Sequence, residues 1–360
     1  MISVLDRHDA LLFDLDGTLY RGRQAVPRAV EAVTEAAGLG ARTVYVTNNA
    51  SRRPSEVAAH LAELGFPATE PDVLTSSQAA AAMLAEQMEP GSPVLVVGTD
   101  ALAEEIIKVG LSITERADEA VAVVQGHSPD TGWRVLAEAT VALRAGAVWV
   151  ACNIDATLPT ERGPLPGNGS MVAAVRLASG RVPQVAGKPA ARLLEQAVKR
   201  SGAQRPLVVG DRLDTDIEGG RAAGLATLLV LTGVSGAADV LAAAPAQRPD
   251  HIAADLSALT RPIVELTPGP RPGWQVERAG ADLVLSGAGS TDGAVDALRA
   301  LCAAHWADDG GGPVQVHAEG SAATRALAAL GLPSARGSDD ATNGASVTVA
   351  EVEAARGARR

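Results

Sequence analysis

Two carboxylates close the first apolar run of the chain, where Leu11-Leu12-Phe13 leads into Asp14-Leu15-Asp16-Gly17-Thr18. Spaced i, i+2 at a strand end, Asp14 and Asp16 stand side by side on one rim while Leu15 turns back into the core. One such carboxylate can attack a phosphorus atom and become phosphorylated, and the other can shuttle the proton. Gly17 frees the backbone so that amide N–H groups can face an anion. The plain alternative is an acidic turn, because Asp-Gly is a common turn pair. A second apolar run ends in Thr47-Asn48-Asn49-Ala50-Ser51. There the Thr47 hydroxyl and the amides about Asn48 can hold phosphate oxygens without adding charge, or one of these residues can cap the helix that starts near Pro54.

Further along, Gly187-Lys188-Pro189 precedes a long amphipathic segment. Arg is the default base of this chain, Lys108 and Lys199 being the only other lysines. A lysine at that place can neutralise both a phosphoryl group and an attacking carboxylate. A fourth cluster, Gly210-Asp211-Arg212-Leu213-Asp214-Thr215-Asp216-Ile217, again follows an apolar run. A hard cation such as Mg²⁺ takes oxygen ligands and keeps waters. Asp211 is best placed to bind it directly. Asp216 is read as orienting a bound water or a backbone amide, and Asp214 as doing the same or capping the next helix.

These residues need a frame that brings strand ends together. Short apolar runs (10–13, 43–46, 94–97, 121–124, 148–151, 207–209, 227–231) alternate with helix-length segments (55–64, 77–87, 133–144, 190–201, 216–223). That alternation predicts βαβ units and a doubly wound, Rossmann-like parallel α/β sheet, with ligands bound beyond the carboxyl ends of the strands. Thr157–Gly169, rich in Pro and Gly, reads as a long loop, and Leu266–Gly273 as an interdomain linker. Beyond it the pattern changes to hairpin, helix (292–306), strand (314–318) and helix (322–330), ending in a small-residue tail.

The motifs DLDGT, VTNNAS, GKP and GDRLDTDI, in this order, resemble motifs I to IV of the haloacid dehalogenase (HAD) superfamily of phosphotransferases. VLTSSQAAA, PGNGSM and the spacing between them are similar to the subfamily with a C2-type cap, the nucleotidase/4-nitrophenylphosphatase-like group. The resemblance implies a HAD core from 1–78 and 187–265, an inserted α/β C2 cap at 79–186, and a linker at 266–273. A small α+β unit at 274–333 and a partly mobile tail at 334–360 follow. It also implies Asp14 as nucleophile, Asp16 as general acid/base, and Mg²⁺ on Asp14, the Asp16 carbonyl and Asp211. Thr47, Asn48 and Gly17 would bind phosphate, Lys188 would stabilise charge, and Asp214 and Asp216 would stand behind the ligands. Dehalogenases typically lack the second acid, so Asp16 favours phosphate esters. The cap residues expected to face substrate are the loop Asn153-Ile154-Asp155, Asn168 and His127.

The last unit is somewhat similar to a shortened GNAT-like acetyltransferase. Its one glycine-rich stretch, Gly287-Ala288-Gly289 with Gly293, has the wrong spacing and acidic neighbours (Asp282, Asp292, Asp296), which oppose pyrophosphate binding. No acetyl transfer is expected of it, and it reads as a structural, dimerising or regulatory module. The combination of a C2-capped phosphatase with such a degenerate tail resembles actinobacterial glycerol 3-phosphate phosphatases. The expected reaction is therefore Mg²⁺-dependent hydrolysis of a small phosphorylated metabolite through an aspartyl-phosphate. The alternatives are a broad phosphatase for phosphoglycolate, sugar phosphates or nucleotides, and a regulatory binding protein with a silent site.

Composition removes other classes. A net charge of −11 over 360 residues argues against a nucleic-acid partner. No dinucleotide fingerprint follows the first strand and no GxxxxGK[ST] occurs. Two cysteines, Cys152 and Cys302, make neither a disulfide framework nor a zinc set. With a charged N-terminus and no apolar run of spanning length, the reading is a cytoplasmic protein without membrane insertion, homo-oligomerisation left open. Aromatic residues are only 2%, so a cap built here selects by size and hydrogen bonding more than by ring stacking.

Overall fold

The computed structural model describes residues 2–160, 162–290, 293–307 and 310–333. The expected tail at 334–360 and Asp292 lie outside them. In chain order the strands are β1 (Ala10–Phe13), a small hairpin of β2 (Tyr20–Arg21) and β3 (Gln24–Ala25), then β4 (Arg42–Thr47) and β5 (Val73–Thr75). Next come β6 (Pro93–Val97), β7 (Ser112–Thr114), β8 (Ala122–Gln125), β9 (Val148–Ala151), the pair β10 (Thr157–Thr160) and β11 (Gly163–Pro166), and β12 (Gln184–Val185). The chain then returns through β13 (Pro206–Gly210), β14 (Ala226–Val230) and β15 (His251–Ala253), and ends in β16 (Gln275–Ala279), β17 (Asp282–Ser286) and β18 (Val316–Glu319).

Among the described residues three larger sheets result, beside the two-stranded pairs β2-β3 and β10-β11. One is parallel, in the order β15-β14-β13-β1-β4-β5; a second, also parallel, runs β12-β9-β8-β6-β7 and comes from the inserted segment. The third, β16-β17-β18, joins an antiparallel hairpin to one parallel strand. Strands such as Ala-Leu-Leu-Phe and Pro-Leu-Val-Val-Gly are buried along their whole length, which explains their unbroken apolar sequence. Short strands β5, β7 and β15 escaped the sequence reading, because three-residue runs carry too little periodicity, and so did the ten-residue helix Ala29–Gly38.

The helix Ser76–Ala85 shows how the two parallel sheets meet. Thr75 caps it reciprocally: its Oγ1 accepts from the Gln78 amide at 3.4 Å, and Gln78 Oε1 accepts from the Thr75 amide at 3.1 Å. Seven of its ten residues are buried, on every side, because it is sandwiched between the sheets. Ala79, Ala80, Ala81 and Leu84 join Leu12, Val44 and Val46 of the first sheet to Val94, Val124 and Val150 of the second in one apolar cluster. The alanine-rich composition thus has a local use, letting layers approach closely without rings.

One expectation is corrected. Thr157–Gly169 is largely the hairpin β10–β11, with Leu158 opposite Leu165; its prolines hid the strands, since a proline gives no ladder donor. The stretch 266–273 is anchored to its surroundings: Gly269 N donates to the Arg299 carbonyl at 3.3 Å, and Arg271 Nε binds Asp296 at 3.0 Å. Beside it, Arg299 is fully buried, its Nε donating to the Ile252 carbonyl of β15 at 2.9 Å and its guanidinium binding Asp296 at 2.8 Å. Among the described residues no helix is long and apolar enough to cross a membrane. Because Arg299 satisfies a carbonyl and a carboxylate in a closed interface, Arg299→Ala is expected to cost about 3 kcal/mol in urea unfolding.

Candidate active site

The carboxyl ends of β1, β4 and β13 converge on Lys188. Its side chain is 2% exposed, and Nζ donates to Asp14 Oδ1 at 2.5 Å, Asp216 Oδ1 at 2.6 Å and the Val46 carbonyl at 3.3 Å. Burial opposes the ammonium charge, but Asp14 and Asp216 outweigh it and hold the lysine protonated beyond its ordinary range. Asp211 is wholly buried: Oδ1 accepts from Thr18 Oγ1 at 3.2 Å and Oδ2 from the Val234 amide at 2.6 Å.

Asp14, Asp211 and Asp216 each offer a carboxylate oxygen within 4.8 Å of the other two. Three carboxylates against one ammonium leave two negative charges unbalanced. Burial first, then the Asp216 charge, push Asp211 up to about 6, and the same causes push Asp14 well above the carboxylate range against the pull of Lys188. All-oxygen donors, that spacing and that excess charge fit one hard divalent cation. Asp16 sits exposed at the mouth, yet the desolvation it does undergo raises its carboxyl too.

Backbone detail holds these groups together. Gly17 has φ +92°, and a Cβ there would come 2.4 Å from Asp211 Oδ2, so only glycine lets the Asp14–Thr18 turn approach Asp211. Asn48 ties the lysine loop to β4: its Oδ1 accepts from the Lys188 amide at 2.8 Å and its Nδ2 donates to the Lys188 carbonyl at 2.9 Å. A Cβ on Gly187 would lie 2.5 Å from that Oδ1. From the inserted segment, Asn153 Nδ2 donates to the Asn48 carbonyl at 2.7 Å and Asp155 Oδ2 accepts from Asn48 Nδ2 at 3.2 Å.

With this geometry the chain can be set beside known proteins. Residues 11–112 match the haloacid dehalogenase-like hydrolase family, 185–259 a HAD-hydrolase-like family, and 271–332 a GCN5-related N-acetyltransferase like domain. The chain is 52% identical over 313 residues to a D-glycerol 3-phosphate phosphatase of Mycobacterium tuberculosis, covering 85% of this chain and 88% of that protein. The chain belongs to the haloacid dehalogenase-like hydrolases. It is also 37% identical to the 5'-nucleotidase YutF of Bacillus subtilis, over 71% of this chain and 95% of that one. A crystal structure of glycerol phosphate phosphatase from Mycobacterium tuberculosis in complex with magnesium superposes with a TM-score of 0.88 at 50% identity, covering 92% of this chain and all of that one.

In this HAD hydrolase Asp14, Lys188, Asp211 and Asp216 meet, with Thr47 buried beside them on β4. The other expected residues stand around this group. Asp216 stands with the ligand-capable carboxylates, and its Oδ2 accepts from the Arg212 amide at 3.1 Å. That position follows from a π-turn over Leu213–Ile217, which precedes the helix Glu218–Ala222 and swings Asp216 inward. Asp214 points out, 59% exposed, into a two-pronged pair with Arg212 that lowers its carboxyl. The Gly17 amide donates to the Tyr20 carbonyl at 2.7 Å, and the Asn48 side chain is bonded to Lys188 and Asp155.

Asn168 is buried at 1% exposure, its Nδ2 donating to the Asn153 carbonyl at 2.7 Å and the Gln125 carbonyl at 3.3 Å, and so braces the loop. His127 is half-buried, with Nδ1 lacking a partner. Sequence reading missed Thr18 and the loop after β14, where Thr232 Oγ1 donates to the Gly17 carbonyl at 2.7 Å and Val234 clamps Asp211. The strand-end rule applied to β14 was the available signal. Because Asp14 and Asp211, both raised, must lose their protons to hold a cation, magnesium affinity is expected to weaken as pH falls, by about tenfold or more for each pH unit below about 6. Calorimetric titration from pH 5 to 7.5 measures this, and a flat profile contradicts it.

Proposed function

We propose that this chain is a magnesium-dependent phosphomonoesterase that works through an aspartyl-phosphate on Asp14, with glycerol 3-phosphate as its substrate. The observation that carries the chemistry is Lys188, buried and shared between Asp14 at 2.5 Å and Asp216 at 2.6 Å. It favours the ionised, nucleophilic form of Asp14 against the burial and neighbouring carboxylates that raise that carboxyl, and its charge faces the incoming phosphoryl oxygens. An Asp14 oxygen attacks phosphorus while the bond to the alcohol breaks, and the leaving oxygen takes a proton from Asp16, whose raised carboxyl suits that duty. Asp16 then takes a proton from water as the water oxygen attacks the same phosphorus. The bond to Asp14 breaks, returning the carboxylate and releasing inorganic phosphate.

Asp14, Asp211 and the Asp16 carbonyl, with Asp216 beside them, would hold Mg²⁺, which when bound supplies positive charge to the transferring phosphoryl group. Thr47 keeps its hydroxyl proton for a phosphate oxygen while its Oγ1 accepts from the Asn49 amide at 3.0 Å. We assign 1–78 and 187–265 to the catalytic unit, 79–186 to a cap that limits substrate size, and 274–333 to an accessory unit. Two buried, free cysteines suit a cytoplasmic setting.

Glycerol 3-phosphate is supported by likeness to the D-glycerol 3-phosphate phosphatase over 85% of this chain, whereas the nucleotidase likeness covers 71%. The nucleotidase relative favours the second reading, a broader phosphatase. Measuring kcat/KM for glycerol 3-phosphate, phosphoglycolate, a sugar phosphate and a nucleotide separates them: one dominant value supports the first, comparable values the second. Asp14→Asn is expected to lower phosphate release by about 10³-fold or more, with EDTA abolishing it in the parent enzyme; undiminished turnover in the variant refutes the mechanism.

A further inference from the structure

The GNAT-like unit reaches the acidic site through one short helix, Ala237–Leu241. At its C-terminal end, Trp306 Nε1 donates to the Leu241 carbonyl at 3.2 Å and Gly312 N to the Ala242 carbonyl at 3.2 Å. The Arg248 guanidinium lies 5.4 Å from the centre of the Trp306 ring and also binds the Ala243 and Gly310 carbonyls, closing that junction. At the other end, the loop entering the helix holds Asp211 and its strand end. Val234 N donates to Asp211 Oδ2 at 2.6 Å, Ser235 N to the Asp211 carbonyl at 3.1 Å, and Ser235 Oγ accepts from the Leu213 amide at 3.1 Å. Leu213 and Ile217 of the π-turn share one apolar cluster with Val240, Leu241, Leu298 and Leu301.

A helix of one and a half turns has no internal slack, so fixing its C-terminal end fixes the loop at its start. We infer that the C-terminal unit is a positioning element for Asp211, with Trp306 as the residue through which it acts. Trp306 touches neither substrate nor the reacting carboxylates; it acts through the helix and Val234. This goes beyond an appended or merely stabilising module, and it rests on the reading of Asp211 as a magnesium ligand.

The test compares three full-length variants with the parent chain, reading the magnesium Kd by calorimetry without substrate and the Tm by calorimetric scan. Trp306→Phe keeps a smaller aromatic ring but removes the N–H, and Trp306→Ala removes both ring and N–H. Leu327→Ala, in the buried face of the last described helix, loosens the same unit while keeping the Trp306 Nε1 donor to the Leu241 carbonyl. Expected are a Kd raised about threefold in Trp306→Phe and more in Trp306→Ala, with Leu327→Ala lowering Tm but leaving Kd unchanged. Equal Kd in parent and Trp306→Phe, or an equal rise in Leu327→Ala, overturns the inference. If Trp306→Ala does not fold, Trp306→Phe against Leu327→Ala decides alone. A parent chain that binds no magnesium and releases no phosphate would instead overturn the functional reading.

Discussion

The structure is organised around a charge imbalance that is closed off from water. Asp14, Asp211 and Asp216 are held together with only Lys188 among them, so each must be restrained by something other than bulk solvent. A buried ammonium between two carboxylates removes part of the repulsion, and the remainder shows in the raised carboxyls of Asp14 and Asp211. Such an arrangement is costly without a bound cation and favourable with one. The surrounding fold supplies the rigidity that keeps the carboxylates from relaxing apart.

That rigidity comes from hydrogen bonds that hold backbone to backbone through side chains. Asn48 binds both the amide and the carbonyl of Lys188, Thr232 binds the Gly17 carbonyl, and Val234 and Ser235 bind Asp211 on its side chain and main chain. The strand ends are thereby joined in pairs, β4 to the lysine loop and β13 to the loop after β14. The inserted segment enters the same network through Asn153 and Asp155. The helix Ser76–Ala85, buried all round, gives it a wide apolar footing on the first sheet, so this segment is seated by both packing and polar contacts.

A net charge of −11 at first sits oddly with an anionic substrate. The positive field is local: Lys188, amides at strand ends and a divalent ion act inside a site of low dielectric, where they count for more than distant surface charge. Part of the acidic excess is itself the cation-holding cluster. The C-terminal unit adds a further layer, since its core is continuous with Leu213 and Ile217 beneath the acidic loop.

The sequence by itself carried the local patterns: buried strands as apolar runs, and the motifs about Asp14, Thr47, Lys188 and Asp211 at their ends. It also carried the class of chemistry, because carboxylates, a lone lysine and small donors at strand ends limit what can be bound. What it did not carry was where each side chain turns. Asp214 and Asp216 are two residues apart, yet a π-turn sends one to Arg212 at the surface and the other to Lys188 in the interior. The side-chain amides of Asn48 and Asn168 donate to carbonyls 140 and 15 residues away, partners that no local pattern discloses. The Thr232–Ser235 loop carries no charge, and only the closing of β13 against β14 brings it to Asp211. Local spacing determines which groups are available; competition among distant partners, settled only on folding, determines which of them remain free to act.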